Sequence, residues 1–264
     1  MKDTESNLDR VMKFLSTSDL AGAVGVHPNT VRRYVDRGFL PPVRRSPAGY
    51  RRFTEFHLDC LRVTQQVFSK TFPSRAIFQS GLRIIRTTAG GDLGGALELA
   101  YNHLALVQAE RAQAEVAANL LERWALGTPA DATAQPLTIG QVAGLLGVSI
   151  DILRNWDRNG LIDIPRDPSN GYRRYGATEI SRLRVIRMLS RAGYSLSAIL
   201  RMLIQLDRGE TTDLRRALDT PRPDEDAYLA SDRWLSTLAD HEQRAQAIIS
   251  LIEEMIQKQA SGTY

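Results

Sequence analysis

Apolar positions along the chain mark out short amphipathic helices followed by long ones, and they do so twice. Leu20, Ala21 and Val24 share one face of a short helix that starts near Ser18, and Val142, Ala143 and Leu146 share the face of a helix that starts near Gly140. Gly25 and Gly147 stand where each helix ends and the chain turns tightly. A second short helix follows at once. Pro28 suits its first position, where a missing N–H costs nothing, and Ser149 is a good N-cap for the other copy. Val31 with Tyr34, and Leu153 with Trp156, recur at i, i+3 until Gly38 and Gly160 close the pattern. Two short helices joined by a glycine turn predict a helix-turn-helix.

A polar two-stranded element comes next in each copy. Val43, Arg44 and Arg45 precede a turn at Pro47–Gly49, then Tyr50, Arg51, Arg52 and Phe53; Ile164–Arg166 precede a turn through Asn170 and Gly171, then Tyr172–Tyr175. Asn-Gly is a strong hairpin signal. A hairpin of this size after a helix-turn-helix is a wing, whose arginines suit phosphate contacts. Longer amphipathic helices begin near Thr54 and Thr178, and shorter ones span Pro73–Ile85 and Leu196–Leu206.

Two stretches show the alternating four- and three-residue spacing of a coiled-coil seam. The first runs through Leu93, Leu97, Ala100, Leu104 and Val107 and resumes at Ala114, Ala118 and Leu121; the second runs through Trp234, Leu238, His241, Ala245, Ile248, Ile252 and Met255. Between the first stretch and the second copy lies GTPADATAQP, Gly127–Pro136, a flexible linker by composition. The expected organisation is head one over 12–90, a first long helix over 91–126, a linker over 127–136, head two over 137–218 and a second long helix over 226–258.

The two copies align without a gap at an offset of 122 residues, with 15 identities between Leu15–Val63 and Leu137–Val185. A period this long means a duplicated domain rather than a solenoid. The 264 residues are 43% apolar and 24% charged, enough for a packed core. No run of eighteen apolar residues suggests a membrane span, and the N-terminus lacks an apolar signal core, so a cytoplasmic protein is expected. Cys60 is the single cysteine, which excludes an internal disulfide and a cysteine metal cluster. Net charge is only +4, but Arg10–Arg75 holds 12 basic against 4 acidic residues and Leu137–Leu203 holds 10 against 5. Two basic blocks separated by acidic segments suggest two places for a polyanion. There is no phosphate-binding glycine loop, histidine–carboxylate cluster or nucleophile motif, so an enzyme is not expected.

The order of LTIGQVAGLLGVSIDILRNWDRNGLI, GYRRY and ISRLRVIRMLSRAGYSLSAI in the second copy, and of DLAGAVGVHPNTVRRYVDRGFLPP and GYRRF in the first, resembles the DNA-binding domain of the MerR family. The resemblance implies a mainly α fold: two winged helix-turn-helix domains, each with a small β-hairpin wing, and two long helices forming an antiparallel coiled coil. It also implies a transcription regulator that binds double-stranded promoter DNA, bends and untwists it, and works with RNA polymerase. Members are usually homodimers. Here both heads and both seam helices come from one chain, which predicts a monomer acting as a pseudo-dimer, with a homodimer of tandem chains as the alternative. An architectural DNA-bending protein that does not act on polymerase is the alternative function.

The candidate DNA-binding residues are Thr17, Asn29, Thr30, Arg32, Arg33, Arg37, Arg44, Arg45, Tyr50, Arg51 and Arg52 in head one. In head two they are Ser149, Asp151, Arg154, Asn155, Arg158, Arg166, Tyr172, Arg173 and Arg174. The chain departs from the family at Arg33 and Asn155, where a tyrosine is usual, and at Val35 and Asp157, where a glutamate is usual. Asp151 repels phosphate or complements its helix dipole, and wing two carries Asp167 beside Arg166, so head one is expected to bind more tightly on an asymmetric operator. No cofactor or metal is expected. Metal-sensing members carry cysteines near the long helix, and none stands near Leu93 or Asp226. Trp124, Tyr228 and Trp234 either line a pocket for a small-molecule effector or anchor the heads to the coiled coil, the preferred reading.

Overall fold

The computed structural model describes residues 14–68, 74–125, 135–221 and 230–264. The chain divides into two compact units: unit one comprises residues 1–108 and 240–264, and unit two comprises 109–239. Among the described residues, no helix is long and apolar enough to cross a membrane.

Unit one opens with α1 (Thr17–Ala23) and α2 (Pro28–Asp36). The start of α1 is fixed one step before the expected Ser18: Ser16 Oγ accepts from the Asp19 N–H while Asp19 accepts from the Ser16 N–H, a reciprocal cap. Gly25 and Gly38 take positive φ, +69° each, so both turns need glycine. Pro28 occupies the first turn of α2, and His27 caps it through Nδ1. The wing is a true ladder, β1 (Arg44–Arg45) antiparallel to β2 (Arg51–Arg52), with Arg44 opposite Arg52. Leu15 and Phe53 exchange backbone hydrogen bonds of 2.8 and 3.0 Å, which ties the wing's end to the start of the helix-turn-helix. Then come α3 (Glu55–Val67), α4 (Arg75–Ala89) and the first part of α5 (Leu93–Ala125).

The seam spacing is matched by burial. Leu93, Ala100 and Val107 from α5 are enclosed, as are Ala245, Ile248, Ile252 and Met255 from α11 (Trp234–Ala260). Gln108 donates to Glu242 and Tyr101 to Glu253, so residue numbers rise on one helix as they fall on the other; the pair is antiparallel. The end of α11 is fastened to head one. Lys258 Nζ reaches Glu55 at 2.9 Å and buried Asp59 at 2.7 Å, and the Tyr264 hydroxyl donates to Asp59.

His103 and His241 are both enclosed in this seam, where spacing alone did not pair them. Burial first, and the neighbouring His241 second, push the His103 imidazolium down to about 4. His57, the reciprocal cap of α3, is likewise lowered by burial. A base with a depressed folded value binds its proton more weakly than the unfolded chain does. Stability is therefore full above pH ~6.5 and is lost as pH falls towards ~4, by up to about 3 kcal/mol for His103. All four histidines lie in unit one. Unit one is thus expected to lose hydrogen-exchange protection between pH 6.5 and 4.5 while unit two keeps its own. His103→Leu should remove most of that pH dependence, and equal loss in both units would refute the assignment.

Unit two repeats the head: α6 (Ile139–Leu146) capped by Thr138 with Gln141, and α7 (Ile150–Arg158) capped by Ser149. Gly147 and Gly160 again take positive φ. Its wing differs from wing one. Only Arg166 and Arg173 form a bridge, and Asp167 accepts from the Gly171 N–H across a longer loop. Gly171 has positive φ but Asn170 does not, so Asn-Gly does not make the tight two-residue turn that needs both. Pro165, with no N–H, stands next to the bridge.

Beyond the wing lie α8 (Ala177–Arg191), α9 (Leu196–Asp207) and α10 (Leu214–Asp219), the last not read from the sequence. A 3-10 turn at Ala230–Arg233 leads into α11, whose α-helical part begins at Trp234; the expected start near 226 lies outside the described residues. Buried Arg201 donates to the carbonyls of Ala217 and Asp232 and so holds α10 and this turn against α9. The linker falls almost wholly outside the described residues, as does Tyr228.

Candidate nucleic-acid interface

Each head presents a short helix and a wing whose exposed residues include several arginines, joined on α7 by exposed Ile150, Asp151 and Ile152. On α2 the buried face is Val31 with Tyr34, which stacks on Phe68 at 5.6 Å and lies 5.9 Å from Phe39. That leaves Asn29, Arg32, Arg33 and Arg37 exposed, with Thr30 half-buried between them. On α7, Leu153 and Trp156 are buried, while Ser149, Asp151, Arg154 and Arg158 are exposed and Asn155 is half-buried. Tyr50 and Tyr172 stand at matching wing positions, 76% and 74% exposed. Such exposure of a large ring on both wings leaves each free to meet something outside the chain. Thr17 is the first residue of α1, half-buried.

The heads differ in how their arginines are held. Between residues 27 and 53, head one has seven arginines against Asp36; between 149 and 175, head two has five against four aspartates. The structure pairs most of the latter. Asp151 lies 3.4 Å from Arg154, Asp157 accepts a short hydrogen bond from Arg173, and Asp167 takes both Nε and Nη2 of Arg174 at 3.0 and 2.8 Å. Hydrogen bonds from Ser169, and then Arg174, hold the Asp167 carboxyl down at about 2.

Head one offers weaker partners. Arg32 bonds the neutral Asn29 amide, and Arg51 meets exposed Asp36 only at 3.8 Å. Arg52 lies over the Phe14 ring. Arg45 and Arg166 each donate to the carbonyl of a wing-tip glycine, Gly49 and Gly171, at 3.1 Å. Asp157, where the family usually has glutamate, therefore braces α7 against wing two.

A second groove, apolar for the most part with a few polar groups, was missed by sequence reasoning. This groove of about 630 Å³ in unit two is lined by Ile152 and Asn155 of α7, by Arg187, Ser190 and Arg191 of α8, and by Ser197 in the first turn of α9. Arg187 Nε and Ser190 Oγ are buried there without a hydrogen-bond partner among the described residues. Buried donors left open suit an anion with several acceptor oxygens. The i, i+3, i+4 spacing of 187, 190 and 191 was visible, but not which face of α8 stays uncovered.

Of the three aromatic residues considered for an effector pocket, Tyr228 lies outside the described residues. Trp124 Nε1 donates to Ser181 Oγ at 2.7 Å and buried Trp234 Nε1 to the Ala192 carbonyl at 2.7 Å. Both indoles tie neighbouring elements together within unit two.

Two family models match the chain: "MerR HTH family regulatory protein" over residues 137–206 and "MerR family regulatory protein" over 16–53. The chain carries two MerR-family domains in tandem. Among curated relatives, the mercuric resistance operon regulatory protein of Serratia marcescens is 38% identical over 73 residues, 28% of this chain and 50% of that protein. The protein of the same name from Bacillus cereus is 35% identical over 72 residues, 27% of this chain and 54% of its own length. A probable heavy metal-dependent transcriptional regulator of Haemophilus influenzae is 34% identical over 71 residues, 27% of this chain and 56% of its own length. The chain thus spans about half the length of these relatives. No solved structure matches significantly.

Proposed function

We propose that this chain is a non-enzymatic transcription regulator that binds double-stranded promoter DNA through two inequivalent heads and deforms it for RNA polymerase. The unequal pairing of arginines carries the reading. On α2, Arg32, Arg33 and Arg37 are exposed and Arg32 bonds only a neutral amide among the described residues, so these guanidiniums reach phosphates and base edges at little cost. Head two must first give up carboxylate partners. Head one therefore anchors, and head two discriminates.

Each unit contains one head and a stretch of each long helix, which supports one chain acting as a pseudo-dimer. Metal sensing, named for the relatives, does not transfer through Cys60. That thiol is enclosed in the core of unit one, and burial together with Asp59 raises it above its ordinary range, so it is not a reactive thiolate at neutral pH.

Selection from random duplexes is the test. The expected result is one asymmetric site bound by a monomer in sedimentation. Affinity should fall with log salt at about 0.9 per phosphate contacted. A perfect palindrome bound by a stable dimer would overturn the reading.

A further inference from the structure

Among the exposed apolar side chains of unit two, Val116 and Leu120 are 57% and 43% exposed and lie one turn apart on α5. They are off the seam, which runs through Ala114, Ala118 and Leu121. They form one wall of a groove of about 540 Å³, whose other side is Met188, Arg191 and Ala192 of α8. The small side chains of Ala112 and Ala117 leave its floor low. This volume is in the range of small-molecule sites, roughly 300–1,000 Å³.

Charge selects the occupant. Arg191 is the one charged residue lining the groove, it is exposed, and it has no ion pair among the described residues. Arg191 also lines the second groove, beside Arg187 and Ser190. A single guanidinium at the border of two grooves serves one anion at a time.

We propose that the Val116–Leu120 groove binds a small amphipathic carboxylate, its apolar body on Val116, Leu120 and Met188 and its carboxylate on Arg191. Occupancy withdraws Arg191 from a DNA phosphate in the neighbouring groove. The binding step stands by itself; its effect on DNA rests on the DNA-binding reading above.

Decanoate, with decanol as the neutral control, tests this on the full chain by calorimetry. Decanoate should saturate at one per chain, and decanol should bind about tenfold more weakly, the loss expected for one charge-assisted contact. Val116→Glu, an exposed position, should abolish decanoate binding without lowering the melting temperature. Arg191→Gln should erase the difference between decanoate and decanol. Decanoate should also weaken duplex binding by wild type and not by Arg191→Gln. Equal binding of decanol, unchanged binding in Val116→Glu, or a dimer that Val116→Glu dissociates would each overturn the site. Decanoate binding with unchanged DNA affinity refutes the coupling, whereas a chain that binds decanoate and no duplex refutes the DNA-binding reading and keeps the site.

Discussion

Replacing Arg32 and Arg33 together by alanine is expected to weaken duplex binding about a hundredfold, while Arg154→Ala with Asn155→Ala costs about tenfold or less. Both pairs occupy the same positions of their recognition helices, so geometry alone predicts equal losses. The difference comes from what each side chain leaves behind. Arg32 exchanges a neutral amide for a phosphate or a base edge, whereas Arg154 leaves the Asp151 carboxylate beside incoming DNA. Two contacts of roughly 1–2 kcal/mol each give the larger figure, and like-charge repulsion subtracts from the smaller. The reciprocal change tests the same cause. Asp151→Asn should tighten binding and steepen the salt dependence, because Arg154 is then released from its counter-ion. Equal losses from the two double variants, in titrations at one salt concentration, would refute the division into anchoring and discriminating heads.

Gly193→Ala is expected to destabilise unit two by about 4 kcal/mol. Gly193 has φ +97°, and a β-carbon there would lie 2.5 Å from Cζ2 of Trp234. The indole cannot yield easily. It is buried, and its N–H is committed to the Ala192 carbonyl at 2.7 Å. Left-handed strain contributes about 1–3 kcal/mol and overpacking a further 1–3. Gly209→Ala separates the two contributions, since its φ is +79° with nothing within 4 Å. It should show the backbone cost alone. Urea unfolding followed by hydrogen exchange in unit two reads both variants. If Gly193→Ala costs no more than Gly209→Ala, Trp234 is not clamped as described.

The local grammar of the heads was legible because it depends on short-range chemistry. Gly25, Gly38, Gly147 and Gly160 all take the left-handed conformation that their positions implied. Pro28 and Ser149 start their helices as their side chains dictate. The seam could be read because a buried stripe must repeat with the helix, and its predicted positions are enclosed or half-enclosed. Wing two was legible as a hairpin but not in its turn, since Asp167 and Ser169 impose their own loop over the Asn-Gly signal.

The sequence by itself therefore determined the duplicated helix-turn-helix and wing, the two long seam helices and the arginine-rich faces. These follow from residue type and spacing within a few turns of chain. Only the tertiary structure decided which charges are spent. It paired Asp157 with Arg173, set His103 with His241 inside the seam, used Trp124 and Trp234 as anchors, and left Arg187, Ser190 and Arg191 open. Those outcomes depend on which helix faces meet, and a contact between residues far apart in the chain has no period to betray it.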